Sequence, residues 1–213
     1  MKEKSELELT IAIPKGFLHT GSYKFLTSLG IKFGSSENNR ELVYLDKVNK
    51  IKGLLVRPND VTVYVEHGSA DLGIVGLDIL REELPDVVIL KDLKFGKCKL
   101  VLAVKKGSSY KNVKDLPANS KIATKFTKLA NDYIHKNGLT SELIKLYGSV
   151  ELAPIVGLSD AIIDLVATGQ TLKANNLTPI DTILKSTAIL IANPVSFKFK
   201  KLRINHFLSF LSS

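Results

Sequence analysis

The sequence predicts an α/β protein. Three observations carry that prediction: short β-branched runs alternate with stretches of helical spacing, proline and glycine punctuate the ends of those stretches, and no internal repeat or low-complexity tract interrupts them. The apolar runs are too short for buried helices and lack strict alternation, so they read as strands covered on both faces in parallel βαβ units. A length of 213 residues fits one α/β unit or two small lobes, and 45% hydrophobic with 24% charged residues gives ample material for a core.

In chain order, the first strand spans 9–13 and ends in the glycine turn Ile13-Pro-Lys-Gly-Phe17, where Lys15 can neutralise phosphate. Helical spacing over 19–29 follows. The next strand, 53–56, runs through Arg57-Pro58 into a helix over 61–67, and the strand 72–75 leads to a helix over 77–84 that stops ahead of Pro85. A run at 87–90 comes next. Between 91 and 106 two strand-like runs follow each other around Phe95-Gly96 with no helix between them, which marks a lobe boundary or hinge. Strands at 100–104, 121–124 and 143–146 flank a helix over 127–136 that ends before Gly138, and helical spacing is also read at 159–166 and 171–176. A second crossover near 179–187 returns the chain to its first lobe, which finishes with a strand at 187–192 and a helix over 199–211.

The net charge of +9 comes from 26 scattered lysines and only four arginines, a solvated surface rather than the clustered basic stripe of a nucleic-acid reader. A small polyanionic substrate fits such a field equally well. No apolar run approaches the ~20 residues that cross a bilayer, and the opening Met1-Lys-Glu-Lys-Ser-Glu-Leu-Glu8 lacks the apolar stretch of a signal peptide, so no membrane association and a cytoplasmic location are expected. Cys98 reads as a small residue in a strand. The histidines, at 19, 67, 135 and 206, lie far apart without ligand-spaced acids or thiols, which argues against zinc, and no Walker A or G-x-G-x-x-G motif is present.

The richest stretch for chemistry runs from Glu151 to Leu172. If 159–166 is a helix capped by Ser159, then Asp160 and Asp164, four apart, share one face and suit hydroxyl recognition. Directly afterwards Ala167 leads into Thr168-Gly169-Gln170-Thr171, a tight turn opening a second helix, where N–H groups and threonine hydroxyls can converge on an anion. The local pattern fits a helix, a solvated turn and another helix equally well, so both readings stay open. Arg57 ends a strand, where open α/β sheets bind ligands, and its guanidinium can grip phosphate bidentately. Around the strand 72–75, Gly73 and Gly76 allow close backbone approach of a ligand, and Asp71 or Asp78 can accept hydrogen bonds from an amine or hydroxyl.

Together Ile11-Ala-Ile-Pro-Lys-Gly16, Arg40-Glu-Leu-Val43, Val56-Arg-Pro-Asn-Asp-Val61, Tyr64-Val-Glu-His-Gly68 with Asp71-Leu-Gly-Ile-Val-Gly76, and the segment Glu151 to Leu172 resemble the ATP phosphoribosyltransferase family over nearly the whole chain. The family usually has arginine where Phe17 stands. The resemblance implies two α/β lobes like a type II periplasmic binding protein with substrates in the interlobe cleft, residues 1–93 plus 181–213 forming the nucleotide and pyrophosphate side and 94–180 the 5-phosphate side. It implies joining adenine N1 of ATP to phosphoribosyl pyrophosphate (PRPP), the first step of histidine biosynthesis. Arg40 and Arg57 would be catalytic, with Lys15, Gly16, Asp71, Leu72 and Gly73 on nucleotide and pyrophosphate. Glu151, Asp160, Asp164, Ala167, Thr168, Gly169, Gln170 and Thr171 would hold PRPP, the acids on ribose hydroxyls or the metal. Mg²⁺ is the implied cofactor, held mainly by substrate phosphates. As the chain stops short of a C-terminal regulatory domain, the resemblance further implies the short form, which works in a hetero-oligomer, a hetero-octamer, with a histidyl-tRNA synthetase-like regulatory subunit that confers histidine inhibition. The rival is a two-lobed module that closes on an anion without chemistry.

Overall fold

The computed structural model describes residues 8–33 and 42–209. The chain forms two compact units: one comprises residues up to Leu80, Leu84–Gly96 and residues from Thr187 onward, the other Arg81–Glu83 and Lys97–Ser186. The first crossover thus follows Phe95-Gly96. The return falls between Ser186 and Thr187, a few residues beyond the expected 180/181, because one strand runs unbroken to Ser186.

The first unit is built from β1 (Leu9–Pro14), α1 (His19–Ser28), β2 (Val43–Asp46), β3 (Ile51–Val56), α2 (Asp60–Glu66), β4 (Leu72–Gly76), α3 (Leu77–Glu83) up to Leu80, and β5 (Val88–Asp92). The second contains β6 (Cys98–Lys105), β7 (Lys121–Thr124), α4 (Thr127–Lys136), β8 (Glu142–Lys145), α5 (Leu152–Ile155), β9 (Ala161–Val166), α6 (Gln170–Ala174) and β10 (Leu177–Ser186). The chain then returns to the first unit with β11 (Ala188–Ala192), α7 (Pro194–Phe199) and α8 (Lys201–Ser209). The last helix is therefore broken in two. Asn193 accepts from Ser196 N at 2.9 Å and Pro194 occupies the first turn, so α7 starts earlier than the apolar spacing at 199–211 suggested.

The first sheet has the order β2-β3-β1-β4-β11-β5 and the second β10-β6-β9-β7-β8. Only β1 with β3 and β4, and β7 with β8 and β9, pair in parallel; every other pairing is antiparallel. The parallel βαβ units read from the sequence thus account for β3-β1-β4 and β9-β7-β8, and antiparallel strands complete each sheet. A continuous apolar run reports burial of both faces and is silent on direction.

Both faces are indeed covered in the centre. In β1, Leu9, Ile11 and Ile13 pack with Leu26 of α1 and Ile204 of α8, while Ala12 turns to Val61 and Val65 of α2. In β9, Ala161 and Ile163 face Ala130 and Ile134 of α4, while Ile162 faces Ala153 of α5 and Leu172 of α6. That makes 161–166 a central strand and not the helix read from its spacing. Its run Ala-Ile-Ile-Asp-Leu-Val fits either period, and pairing with β6 and β7 on its two sides decides for the sheet.

Candidate functional site

Candidate ligand groups gather where parallel strands end, because there the chain leaves the ladder and the strand-end amides and side chains are free to face a ligand. In the first unit β1 and β3 end in register, Pro14 opposite Val56. Lys15 N donates to Val56 O at 2.8 Å, which sets Lys15 beside Arg57 on adjacent strand ends. Both side chains are exposed. Gly16 takes φ +72 to start a 3-10 turn, Gly16–Leu18, in which Leu18 is buried and Phe17 is 62% exposed. Arg57 O accepts from Asp60 N at 3.0 Å, closing the turn that launches α2. Arg40 lies outside the described residues.

The other predicted residues of this unit lie elsewhere. Asp71 precedes β4, at the opposite edge of the sheet from Lys15 and Arg57, and is 5% exposed. Its Oδ2 accepts from Thr10 N at 2.9 Å and Lys200 Nζ at 2.8 Å, and its Oδ1 from Ser196 Oγ at 2.6 Å. It ties β1, α7 and α8 together. Leu72 is fully buried, and a side chain on Gly73 would meet Val65 at 2.7 Å and Val61 at 2.9 Å. Asp71, Leu72 and Gly73 are packed into the interior around β4. At the same edge as Arg57 are Asp60, in the first turn of α2, and Asp78, in the first turn of α3 after β4.

In the second unit β7 and β9 run parallel with Thr124 opposite Ile163. Asp164 follows, half-buried, on the face that packs against α5 and α6. Burial pushes its carboxyl above the ordinary value, the Leu165 N–H and the Lys125 ammonium act against that, and the Glu151 carboxylate adds to it. Glu151 is the residue before α5, and Lys125 the residue after β7. Past the end of β9, Ala167 and Thr168 are exposed, Gly169 takes φ +79, and α6 begins at Gln170 with Thr171 exposed. The left-handed glycine turns the chain into α6, whose first-turn N–H groups have no partner within the helix. Thr168 Oγ1 accepts from Gln170 N at 3.4 Å.

Asp160 and Asp164 are not brought together. On a strand, positions four apart are separated by about 13 Å, and the Asp160 carboxylate accepts from Lys121 N at 2.8 Å at the far end of β7. Ser159 is buried and caps no helix. Sequence reasoning missed Lys125, although a lysine directly after the strand 121–124 meets the same strand-end rule that singled out Arg57.

A family model described as "HisG: ATP phosphoribosyltransferase" matches residues 57–213. An ATP phosphoribosyltransferase of Synechococcus elongatus is 52% identical over 192 residues, 89% of this chain and 88% of that one. Among solved structures, the ATP phosphoribosyl transferase (HisG:HisZ) complex from Thermotoga maritima superposes with a TM-score of 0.81 at 36% identity, over 96% of each chain. The alkanesulfonate-binding protein SsuA from Xanthomonas axonopodis, at 15% identity and a TM-score of 0.62 over 96% of this chain and 71% of its own, shares the fold alone.

Proposed function

This chain belongs to the ATP phosphoribosyltransferase family, and from that premise we propose that its two units divide the substrates between them. In the family reaction the lone pair of adenine N1 of ATP attacks the anomeric carbon of PRPP. The bond from that carbon to pyrophosphate breaks with its electron pair on oxygen, giving N1-(5-phosphoribosyl)-ATP and pyrophosphate at the start of L-histidine biosynthesis. In this chain Arg57 and Lys15 take the pyrophosphate oxygens, where negative charge grows, with the Gly16 turn beside them and Arg40 as a second arginine. The Thr168–Thr171 turn takes the 5-phosphate, and Asp164 with Glu151 the ribose hydroxyls. Holding two anionic substrates in reacting geometry is the main task, so no covalent nucleophile is invoked.

Mg²⁺ fits this scheme as a passenger of the substrate. Among the described residues no group of three or more acids, histidines or cysteines could hold a metal, and phosphate oxygens with water suit the ion's octahedral preference. Bound there it supplies positive charge to the departing pyrophosphate. By likeness to the HisG:HisZ complex of T. maritima, the chain assembles with a histidyl-tRNA synthetase-like subunit that confers control by histidine. No helix among the described residues is long and apolar enough to cross a membrane, and the cytoplasm, where ATP and PRPP are made, is the proposed location.

The observation that supports this reading most is that basic side chains end adjacent parallel strands in one unit, while an acid pair and a glycine-threonine turn end those of the other. Pyrophosphate release measured with ATP and PRPP, with and without the partner subunit, tests it. Release that requires both substrates is expected. Saturable binding of either substrate without release under both conditions would establish the rival binding module.

A further inference from the structure

We infer that Lys125 is a positioning residue for the phosphoribosyl donor, its ammonium balancing the Asp164 and Glu151 carboxylates so that this acid pair can accept a phosphorylated sugar. The inference rests on the reading of Asp164 as a ribose ligand. Its geometry comes from the sheet: Ala123 is opposite Ile162 and Thr124 opposite Ile163 in the parallel β7/β9 pair. Lys125 and Asp164 are the residues that follow this last pair. Ile162 belongs to the α5/α6 face of the sheet and side chains alternate, so Asp164 is on that face; Lys125 leaves the strand just beyond the last pair, and its ammonium acts on the Asp164 carboxyl.

The backbone around Lys125 is pinned. Thr124 is fully buried; its Oγ1 donates to Ile163 O at 2.7 Å and accepts from Phe126 N at 2.9 Å, which fixes the chain on either side of Lys125 to the strand that carries Asp164. The ammonium lies 4.9 Å from the centroid of the Phe126 ring. It is exposed, and among the described residues it is committed to no hydrogen bond or ion pair. A cation held this way and left unpaired remains available to balance a neighbouring charge.

That balance is needed because the proposed ligand is itself an anion. Asp164 and Glu151 present two negative groups to a sugar carrying phosphates, and like charges in a partly buried site repel strongly. Lys99, two residues from Val101 on the same face of β6, Lys145 opposite Thr124 at the end of β8 and Lys173 of α6 are further cations of this unit. None of them follows a strand that pairs with β9.

Steady-state kinetics of the full chain with ATP and PRPP test the inference. Lys125→Met keeps the stem and removes the charge, and the apparent PRPP constant should rise about tenfold, the size of one neighbouring opposite charge, with kcat and the ATP constant unchanged. Lys125→Arg should restore most of the loss. In an Asp164→Asn background the same Lys125→Met change should cost much less, because the charge it balances is already gone. Equal cost in both backgrounds, or a loss in kcat and the ATP constant as well, overturns the inference. If Asp164→Asn impairs PRPP use and Lys125→Met does not, the inference alone fails; if Asp164→Asn leaves the PRPP constant unaltered, the ribose reading beneath it fails too.

Discussion

Arg57 and Asp71 are both charged, both lie at the end of a strand, and have opposite fates because they lie at opposite edges of one sheet. Arg57 is exposed beside Lys15, with its backbone used in a turn; in the proposed reading its guanidinium grips pyrophosphate. Arg57→Ala should therefore lower kcat on the order of 10²–10³, as for one positioned transition-state donor, while the melting temperature stays put. An unchanged kcat with reduced melting temperature would make it a structural ion pair. Asp71 is enclosed, with Lys200, Ser196 and the Thr10 amide all donating to it. Asp71→Ala removes the acceptor of the Thr10 amide, the Ser196 hydroxyl and the Lys200 ammonium, which keeps Glu8 O at 2.9 Å, and should cost about 2 kcal/mol of stability, as when buried hydrogen-bonding groups lose a partner, read from the denaturant midpoint. A raised ATP constant at unchanged stability would return Asp71 to the substrate site. Sequence could name both residues as candidates. It could not rank them, because the edge to which a strand-end acid belongs depends on pairing partners, here Thr10 and two helices from the far end of the chain.

At the scale of elements, the strands at 9–13, 53–56, 72–75, 100–104 and 121–124 were legible because β-branched runs flanked by glycine or proline have few alternatives. β9 was misread, and with it the geometry of its acids. Helices cover the sheet on both sides here, α4 on one face of β9 and α5 with α6 on the other, which erases the alternation that would have marked a strand. β10 was passed over because Pro179 breaks its run; the structure accommodates that proline on an edge strand with irregular register at 179/181 and 182/184. The turn after β9 survives the correction, since a left-handed glycine followed by a helix start presents the same donors whether strand or helix precedes it. Thr168→Ala combined with Thr171→Ala should raise the apparent PRPP constant far more than the ATP constant, because two hydroxyl donors to a dianion vanish while the amides remain. Equal effects on both constants would remove the 5-phosphate from this turn.

At the scale of the whole molecule, the break at Phe95-Gly96 was readable because two strands in succession with no helix between them cannot continue a βαβ wind, and each unit does carry hydrophobic clusters on both faces of its own sheet. What each unit binds was not readable from that architecture, since the fold is shared with an alkanesulfonate-binding protein and a fold alone does not specify chemistry. The assignment is best tested by cutting PRPP into its two anionic halves and asking which unit answers each. Amide hydrogen exchange reports local opening segment by segment, and a ligand slows exchange where it orders backbone or removes it from water. Ribose 5-phosphate lacks the pyrophosphate, so it should slow exchange at 124–127 and 164–171 and leave 14–17 and 57–60 at their free rates. Pyrophosphate with Mg²⁺ should do the reverse, as Arg57 and Lys15 sit on strand ends of the other sheet. Protection of 14–17 and 57–60 by ribose 5-phosphate alone would exchange the roles of the units, and with them the meaning of Arg57 and of the Thr168–Thr171 turn.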